Sequence, residues 1–199
     1  MPGALYESAP LLSSTSLERR KVAVGEFLTD VRTLRNRARE NIEMGAVTDV
    51  HGADRDRVID VLNQSLATEM VCVLRYKRHY FTADGLNAQS AADEFLEHAS
   101  EEQDHADQIA ARIHQLGGEP DFTLDTVTGR THSPYDSSEE LEAMMREDLV
   151  AERVVIAGYT EIISWLGESD PTTRRMLESI LAMEEEHAED MLDLLTGIS

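Results

Sequence analysis

Apolar residues recur at steps of three and four through four long stretches of this chain, the spacing of one face of an α-helix. From Asp54 to Phe81 the stripe is Val58, Leu62, Leu66, Glu69, Val73, Tyr76 and Tyr80. From Asn87 to Leu116 it is Phe95, His98, Glu102, His105, Ile109 and Ile113, with Gly117-Gly118 as the stop. A third stripe, Leu141, Met145, Leu149, Glu152, Ile156, Tyr159 and Ile163, ends near Leu166 and is predicted to start from a Ser137/Glu140 capping box. The fourth starts at Pro171, a residue suited to the first helical position, and places Met176, Ile180, Glu184, His187, Met191 and Leu194 inward. Four stripes of this length predict an all-α bundle. Glu69 and Glu152 interrupt otherwise apolar faces, and a carboxylate so placed is costly unless it is paired, protonated or bound to a cation.

Outside the four stripes the pattern changes. Residues 1–17 combine Pro2, Gly3, Pro10 and a Ser/Thr cluster without periodicity, which predicts a mobile tail. Residues 18–52 form an N-terminal helical extension and linker, and 53–199 the bundle. The extension places Val24, Phe27, Leu28, Val31 and Leu34 on one face and holds seven of the 18 basic residues, Arg19, Arg20, Lys21, Arg32, Arg35, Arg37 and Arg39. Two readings suit it: an outer helix held by salt bridges to the body or to a neighbouring subunit, or a nucleic-acid arm. Between the second and third stripes about twenty residues, 117–136, connect elements that a short turn could join. A connection that long crosses the bundle, so the third helix starts at the same end as the second.

Composition narrows the function. The formal charge of −21 repels phosphate, so DNA binding by the folded body is not expected, and the same charge draws cations. No run of about 18 apolar residues predicts a membrane span, and no charged-then-apolar leader pattern opens the chain. One cysteine, Cys72, excludes an internal disulfide framework and reads as a small buried hydrophobe. Together these suggest a cytoplasmic protein.

The candidate chemistry lies in two short motifs. Glu102-Gln103-Asp104-His105 and Glu184-Glu185-Glu186-His187 each place a carboxylate and an imidazole three residues apart, on one helix face. Either alone is weak, because a chain this acidic produces such pairs by chance. The halves of the bundle match, however: Glu69 precedes Glu102 by 33 residues and Glu152 precedes Glu184 by 32, and Tyr76 and Tyr159 each follow their helix's single Glu by seven. Packed about a pseudo-two-fold axis, the hairpins gather four Glu and two His at mid-bundle. No Lys or Arg is expected on the inner stripes beside them, so the carboxylates need cations, and two divalent ions cancel four negative charges. A shell of carboxylate oxygen and imidazole nitrogen suits Fe²⁺, with Mn²⁺ and Zn²⁺ as substitutes. In this reading Glu102 and Glu184 bridge, Glu69 and His105 hold one ion, Glu152 and His187 the other, and Tyr76 and Tyr159 hydrogen-bond ligand carboxylates. His98 and Glu101 are weaker candidates, Glu185 and Glu186 face solvent, and His51, His79, His114 and His132 read as surface or loop residues.

From Asp54 onward the sequence resembles the ferritin-like superfamily, and bacterioferritins within it, through Leu62-Asn63-x-x-Leu66-x-x-Glu69, Glu102-x-x-His105, Asp148-Leu149-x-Ala151-Glu152 and Glu184-Glu185-x-His187. The Glu plus Glu-x-x-His layout is a known feature of such bundles. The resemblance implies a ferritin-like antiparallel four-helix bundle with a long crossover and a ferroxidase that oxidises Fe²⁺ with O₂ or hydrogen peroxide and stores ferric mineral in a protein cage. Gln103 stands where bacterioferritins place the haem-ligating Met, so haem is not expected by that route. The chain ends twelve residues after His187, short of the fifth helix of 24-subunit ferritins, so a Dps-like homo-oligomer of 12 subunits is expected, with 24 as the alternative. Other readings are a stand-alone di-iron or di-manganese oxidase or peroxidase and a Dps-type DNA-protecting protein.

Overall fold

A computed structural model describes residues 29–40, 42–48, 51–85 and 88–197. The tail expected over 1–17 and the extension's face at Val24, Phe27 and Leu28 lie outside the described residues. Within them are six helices and no strand: α1 (Val31–Glu40), α2 (Arg55–Thr82), α3 (Ala88–Gln115), α4 (Leu124–Arg130), α5 (Leu141–Leu166) and α6 (Pro171–Gly197). The chain divides into two compact units at Ile42/Glu43. The first contains α1, which carries Arg32, Arg35, Arg37 and Arg39 and buries none of its residues. The second begins ten residues ahead of the expected boundary at 53. In it Val47 joins the bundle core, and Gly52 N–H donates to the Ser169 carbonyl at 3.2 Å.

Local chemistry sets the ends of the long helices. Asp54 Oδ1 accepts from Arg57 N at the start of α2, at 3.2 Å. Gly117 (φ 86°) lets Gly118 N–H reach back to the Ile113 carbonyl at 3.0 Å and close α3. Gly118 is also required by close packing, since a Cβ there would stand 2.8 Å from Ile59 Cγ2. Asp170 caps α6 through Thr173 N at 3.0 Å, ahead of Pro171. The expected Ser137/Glu140 capping box is not formed. Helix α5 begins after Glu140, three residues past Ser137, with no side-chain cap, and Arg78 donates to the Ser137 and Ser138 carbonyls at 2.9 and 2.6 Å, tying this stretch to α2.

The crossover explains the topology. It leaves α3 beside Asn63, which binds Glu119 and Asp121, lays Val127 of α4 against Ala67 and Val71, and arrives at Arg78. Those contacts climb 15 residues of α2, about 22 Å at about 1.5 Å per residue. Helix α5 therefore starts where α3 starts. Helix α2 packs antiparallel to α3 and α5, and α6 antiparallel to both of those, as the pairs Arg75–Asp148 and Arg112–Asp170 show. Two apolar clusters fill the bundle, one around Leu62, Leu66, Ile109, Ile113 and Leu177, the other around Phe95, Met144, Met145 and Met191. Each large side chain so buried contributes about 1.5–3 kcal/mol. A polar layer separates the two clusters.

Candidate metal centre

The polar layer forms where the inner faces of all four long helices meet. Glu69 on α2, Glu102 and His105 on α3, Glu152 on α5, and Glu184 and His187 on α6 are each at most 4% exposed. They fall into two groups of donor atoms: Glu69, Glu102, His105 and Glu184 in one, Glu102, Glu152, Glu184 and His187 in the other. Glu102 and Glu184 belong to both. His105 Nδ1 stands 3.0 Å from Glu184 Oε1, 3.6 Å from Glu102 Oε2 and 3.8 Å from Glu69 Oε2. His187 Nδ1 stands 3.4 Å from Glu184 Oε2 and 3.5 Å from Glu102 Oε1. His187 Nε2 faces outward to Glu101 Oε2 at 2.9 Å, which fixes which ring nitrogen points into the layer.

The tyrosines cross between the hairpins. Tyr76 of α2 donates to Glu152 Oε1 of α5 at 2.5 Å, and Tyr159 of α5 donates to Glu69 Oε1 of α2. Each therefore bonds the glutamate of the opposite hairpin, since antiparallel α2 and α5 bring Tyr76 level with Glu152. The remaining atoms test whether metal fits. Glu69 Oε2, Glu152 Oε2, both oxygens of Glu102 and of Glu184, and Nδ1 of His105 and His187 are buried without a hydrogen-bond partner. Such orphans are costly and rare, and here they converge. One free oxygen on each tyrosine-held Glu and two on each shared Glu suit two ions with two bridging carboxylates.

The electrostatics show the strain of the metal-free layer. Burial, then Glu102, pushes the Glu69 carboxyl well above the ordinary range, and burial with Glu102 and Glu184 does the same to Glu152. Burial would raise Glu102 too, but its close neighbours Glu69, His105 and His187 outweigh it and hold this carboxyl below its usual range. Burial opposes charge on both imidazoles. Their carboxylate neighbours, Glu102 and Glu184 first, outweigh it and lift His105 to about 12 and His187 to about 11.

Beside this layer lies a buried cation that contradicts the expectation of none. Arg75 is fully buried, donates through Nε to Asp148 Oδ1 at 2.8 Å, and has Nη2 3.8 Å from Glu152 Oε1. His79, expected at the surface, is also fully buried, with Nδ1 2.8 Å from Asp148 Oδ2. The reason is pairing. Asp148 lies one turn before Glu152 and Arg75 one turn before His79, so antiparallel α2 and α5 satisfy a cation and a carboxylate together. That pair of one-turn spacings was the available signal. Of the other histidines, His51 is nearly buried against Asp170 Oδ2 at 2.9 Å, and His114 and, on the crossover, His132 are exposed. Cys72 is fully buried in the core.

A family model described as a ferritin-like domain matches residues 59–199. The "DNA protection during starvation protein" of Pyrococcus furiosus is 30% identical over 150 residues, 73% of this chain and 80% of that one. A bacterioferritin of Desulfovibrio desulfuricans is 26% identical over 132 residues, 66% of this chain and 70% of its own. Among solved structures, a dodecameric thioferritin, the bacterioferritin-related protein from Bacteroides fragilis, superposes with TM-score 0.71 at 32% identity, covering 74% of this chain and 89% of that one.

Proposed function

The chain belongs to the ferritin-like domain family, and on that footing we propose that it is a ferroxidase that also stores iron. One observation carries this reading: eight buried donor atoms of six residues, none hydrogen-bonded, form two groups that share Glu102 and Glu184. Fe²⁺ is the substrate. Two Fe²⁺ ions each give up one electron to O₂, which takes two protons to become hydrogen peroxide, or to hydrogen peroxide, which takes two protons to become two waters. In this reading Glu69 with His105 and Glu152 with His187 hold one ion each, while Glu102 and Glu184 hold the pair at a common spacing. Tyr76 and Tyr159 fix the outer carboxylates so that each keeps one free oxygen. Mn²⁺ or Zn²⁺ can occupy the same donors.

The assembly belongs to the same proposal: a hollow homo-oligomer of twelve chains holding ferric mineral, supported by the dodecamer named for the Bacteroides fragilis relative. Gln103, exposed and bonded to Asp107, leaves haem out of it. No helix among the described residues is long and apolar enough to cross a membrane. The test is stopped-flow Fe²⁺ oxidation by wild type, Glu102→Ala and Glu184→Ala. Each variant removes a shared ligand, and the rapid phase is expected to vanish in both. Wild-type rates in both would sink the centre, and particles no larger than dimers that retain no iron beyond about two ions per chain would sink storage alone.

A DNA-protecting role is a second reading, favoured by the basic residues from Arg19 to Arg39 and by the name of the Pyrococcus furiosus relative, and opposed by the net charge of −21. A salt-dependent mobility shift decides it, since contacts by several arginines weaken steeply but measurably with salt.

A further inference from the structure

Helices α3 and α6 carry a second set of donors that the dinuclear centre does not use. His98 lies one turn before Glu102, Glu94 one turn before that, and Asp190 just under one turn after His187. His98 Nε2 stands 3.4 Å from Asp190 Oδ2 and 3.8 Å from Glu94 Oε2. The His98 side chain is 2% exposed, against 36% for Glu94 and 51% for Asp190, so a buried imidazole floors a bowl with carboxylates at its rim. Its Nδ1 is buried with no hydrogen-bond partner. Donor atoms of Glu94, His98 and Asp190 lie within 4.8 Å of one another, and so do those of His98, Glu101 and His187. His98 is common to both sets, and its ring stacks on His187 with centroids 4.1 Å apart.

The internal repeat shows that packing does not require these residues. Under the alignment that pairs Glu102 with Glu184 and His105 with His187, His98 pairs with Ile180, Glu94 with Met176, Asp190 with Gln108 and Glu101 with Met183. Ile180 is a 1% exposed core residue, so an apolar side chain fills the same slot in the other hairpin. Burying an imidazole there instead costs desolvation and returns a nitrogen donor facing two carboxylates. Asp93, Glu97 and Glu101 add negative charge around the rim.

We propose that Glu94, His98 and Asp190 form a third site in each chain for a divalent transition-metal ion, joined to the dinuclear centre by the Glu101 and His187 donors behind it. One imidazole nitrogen with two carboxylate oxygens selects Fe²⁺, Mn²⁺, Co²⁺ or Zn²⁺ over Mg²⁺ and Ca²⁺. An open rim admits the ion, and the unbroken line of donors leads it inward. Only this last role rests on the dinuclear reading, because binding at the bowl requires neither oxidation nor the inner ligands.

The experiment is a calorimetric Co²⁺ titration of the full-length protein, stripped by chelation, in excess Mg²⁺ that saturates nonspecific acidic groups. Visible absorption of the bound Co²⁺ monitors nitrogen ligation. Wild type is expected to bind about three ions per chain. The double variant Glu94→Gln/Asp190→Asn, confined to half-exposed and exposed positions, and His98→Ile, which installs the residue of the matching hairpin, are each expected to bind about two. The double variant keeps the test valid if His98→Ile folds poorly. Two ions in wild type, or three in the double variant, overturns the proposal. A wild-type chain that binds a single ion, lost in the double variant, keeps the bowl and sinks the dinuclear centre. No binding sinks both.

Discussion

Loading the centre should expel protons, and the number follows from the groups that face one another in the polar layer. In metal-free protein at neutral pH, His105 and His187, lifted to about 12 and about 11, are protonated. Glu69 and Glu152 are pushed well above the usual carboxyl range by burial and by neighbouring carboxylates, which favours their protonated forms. In those forms the four groups hold four protons that must leave before metal can bind. Two divalent ions replace them charge for charge, which leaves the net charge of the buried layer unchanged and avoids the cost of an unbalanced interior charge. His98 adds none, because burial and His187 hold its ring below the ordinary histidine value. Anaerobic titration with Zn²⁺ in weakly buffered solution, or calorimetry in two buffers of different ionisation enthalpy, should therefore count about four protons per chain. The sign also fixes the pH dependence. His105 and His187 hold their protons at and above neutrality, and Glu69 and Glu152 are shifted in the same direction, so apparent affinity must weaken steadily as pH falls through the neutral range. Release of fewer than about two protons per chain, or affinity flat with pH, would refute the reasoning by showing the imidazoles to be neutral before loading.

Other perturbations have directions set by the same contacts. Arg75→Met strands the Asp148 carboxylate beside His79, a loss of about 3–5 kcal/mol, and calorimetry of chelated protein should show Tm lower by about 6–20 °C for a chain of this size. A loss under about 1 kcal/mol would mean that the pair contributes nothing net. Glu102→Ala and Glu184→Ala should lower the chelated protein's Tm, since each leaves a buried protonated imidazole short of a counter-charge; an unchanged or higher Tm would show that the four carboxylates repel one another instead. Tyr76→Phe and Tyr159→Phe each free one more buried carboxylate oxygen, costing about 1–3 kcal/mol without metal and about 10–100-fold in Fe²⁺ oxidation rate or metal affinity. Unchanged rates in the two variants would relieve the tyrosines of any positioning role. Burial would raise the Asp170 carboxyl, but Thr173, His51 and Arg112 outweigh it and hold it at about 2, below its ordinary 3.8. Its stabilisation is thus present above about pH 4 and lost as pH falls toward about 2. Urea unfolding of wild type and Asp170→Asn should converge over that interval, and a gap constant with pH would discount the ion pairs.

The four long helices, their ends to within a few residues, and the internal repeat were legible in the sequence because helix periodicity and cap residues are local properties. The long connection predicted the direction of α5, and its length alone decided that. The two Glu-x-x-His motifs could be placed on their faces for the same reason, one turn being a fixed geometry. What the sequence could not decide was which partners meet across helices. Tyr76 bonds Glu152 and Tyr159 bonds Glu69 because α2 and α5 run antiparallel, a relation no spacing within one helix contains. Arg75 and His79 looked like outer residues until Asp148 on another helix took them into the core, since a buried charge is tolerable only when its counter-charge arrives with it. Ser137 and Glu140 had the right letters for a cap, but the helix starts only after Glu140, and Arg78, far away in sequence, holds the serine carbonyls ahead of it. His98 shows the division most directly: its stripe position fixed its burial, whereas Glu94, Asp190 and His187 around it came together only when α3 packed against α6.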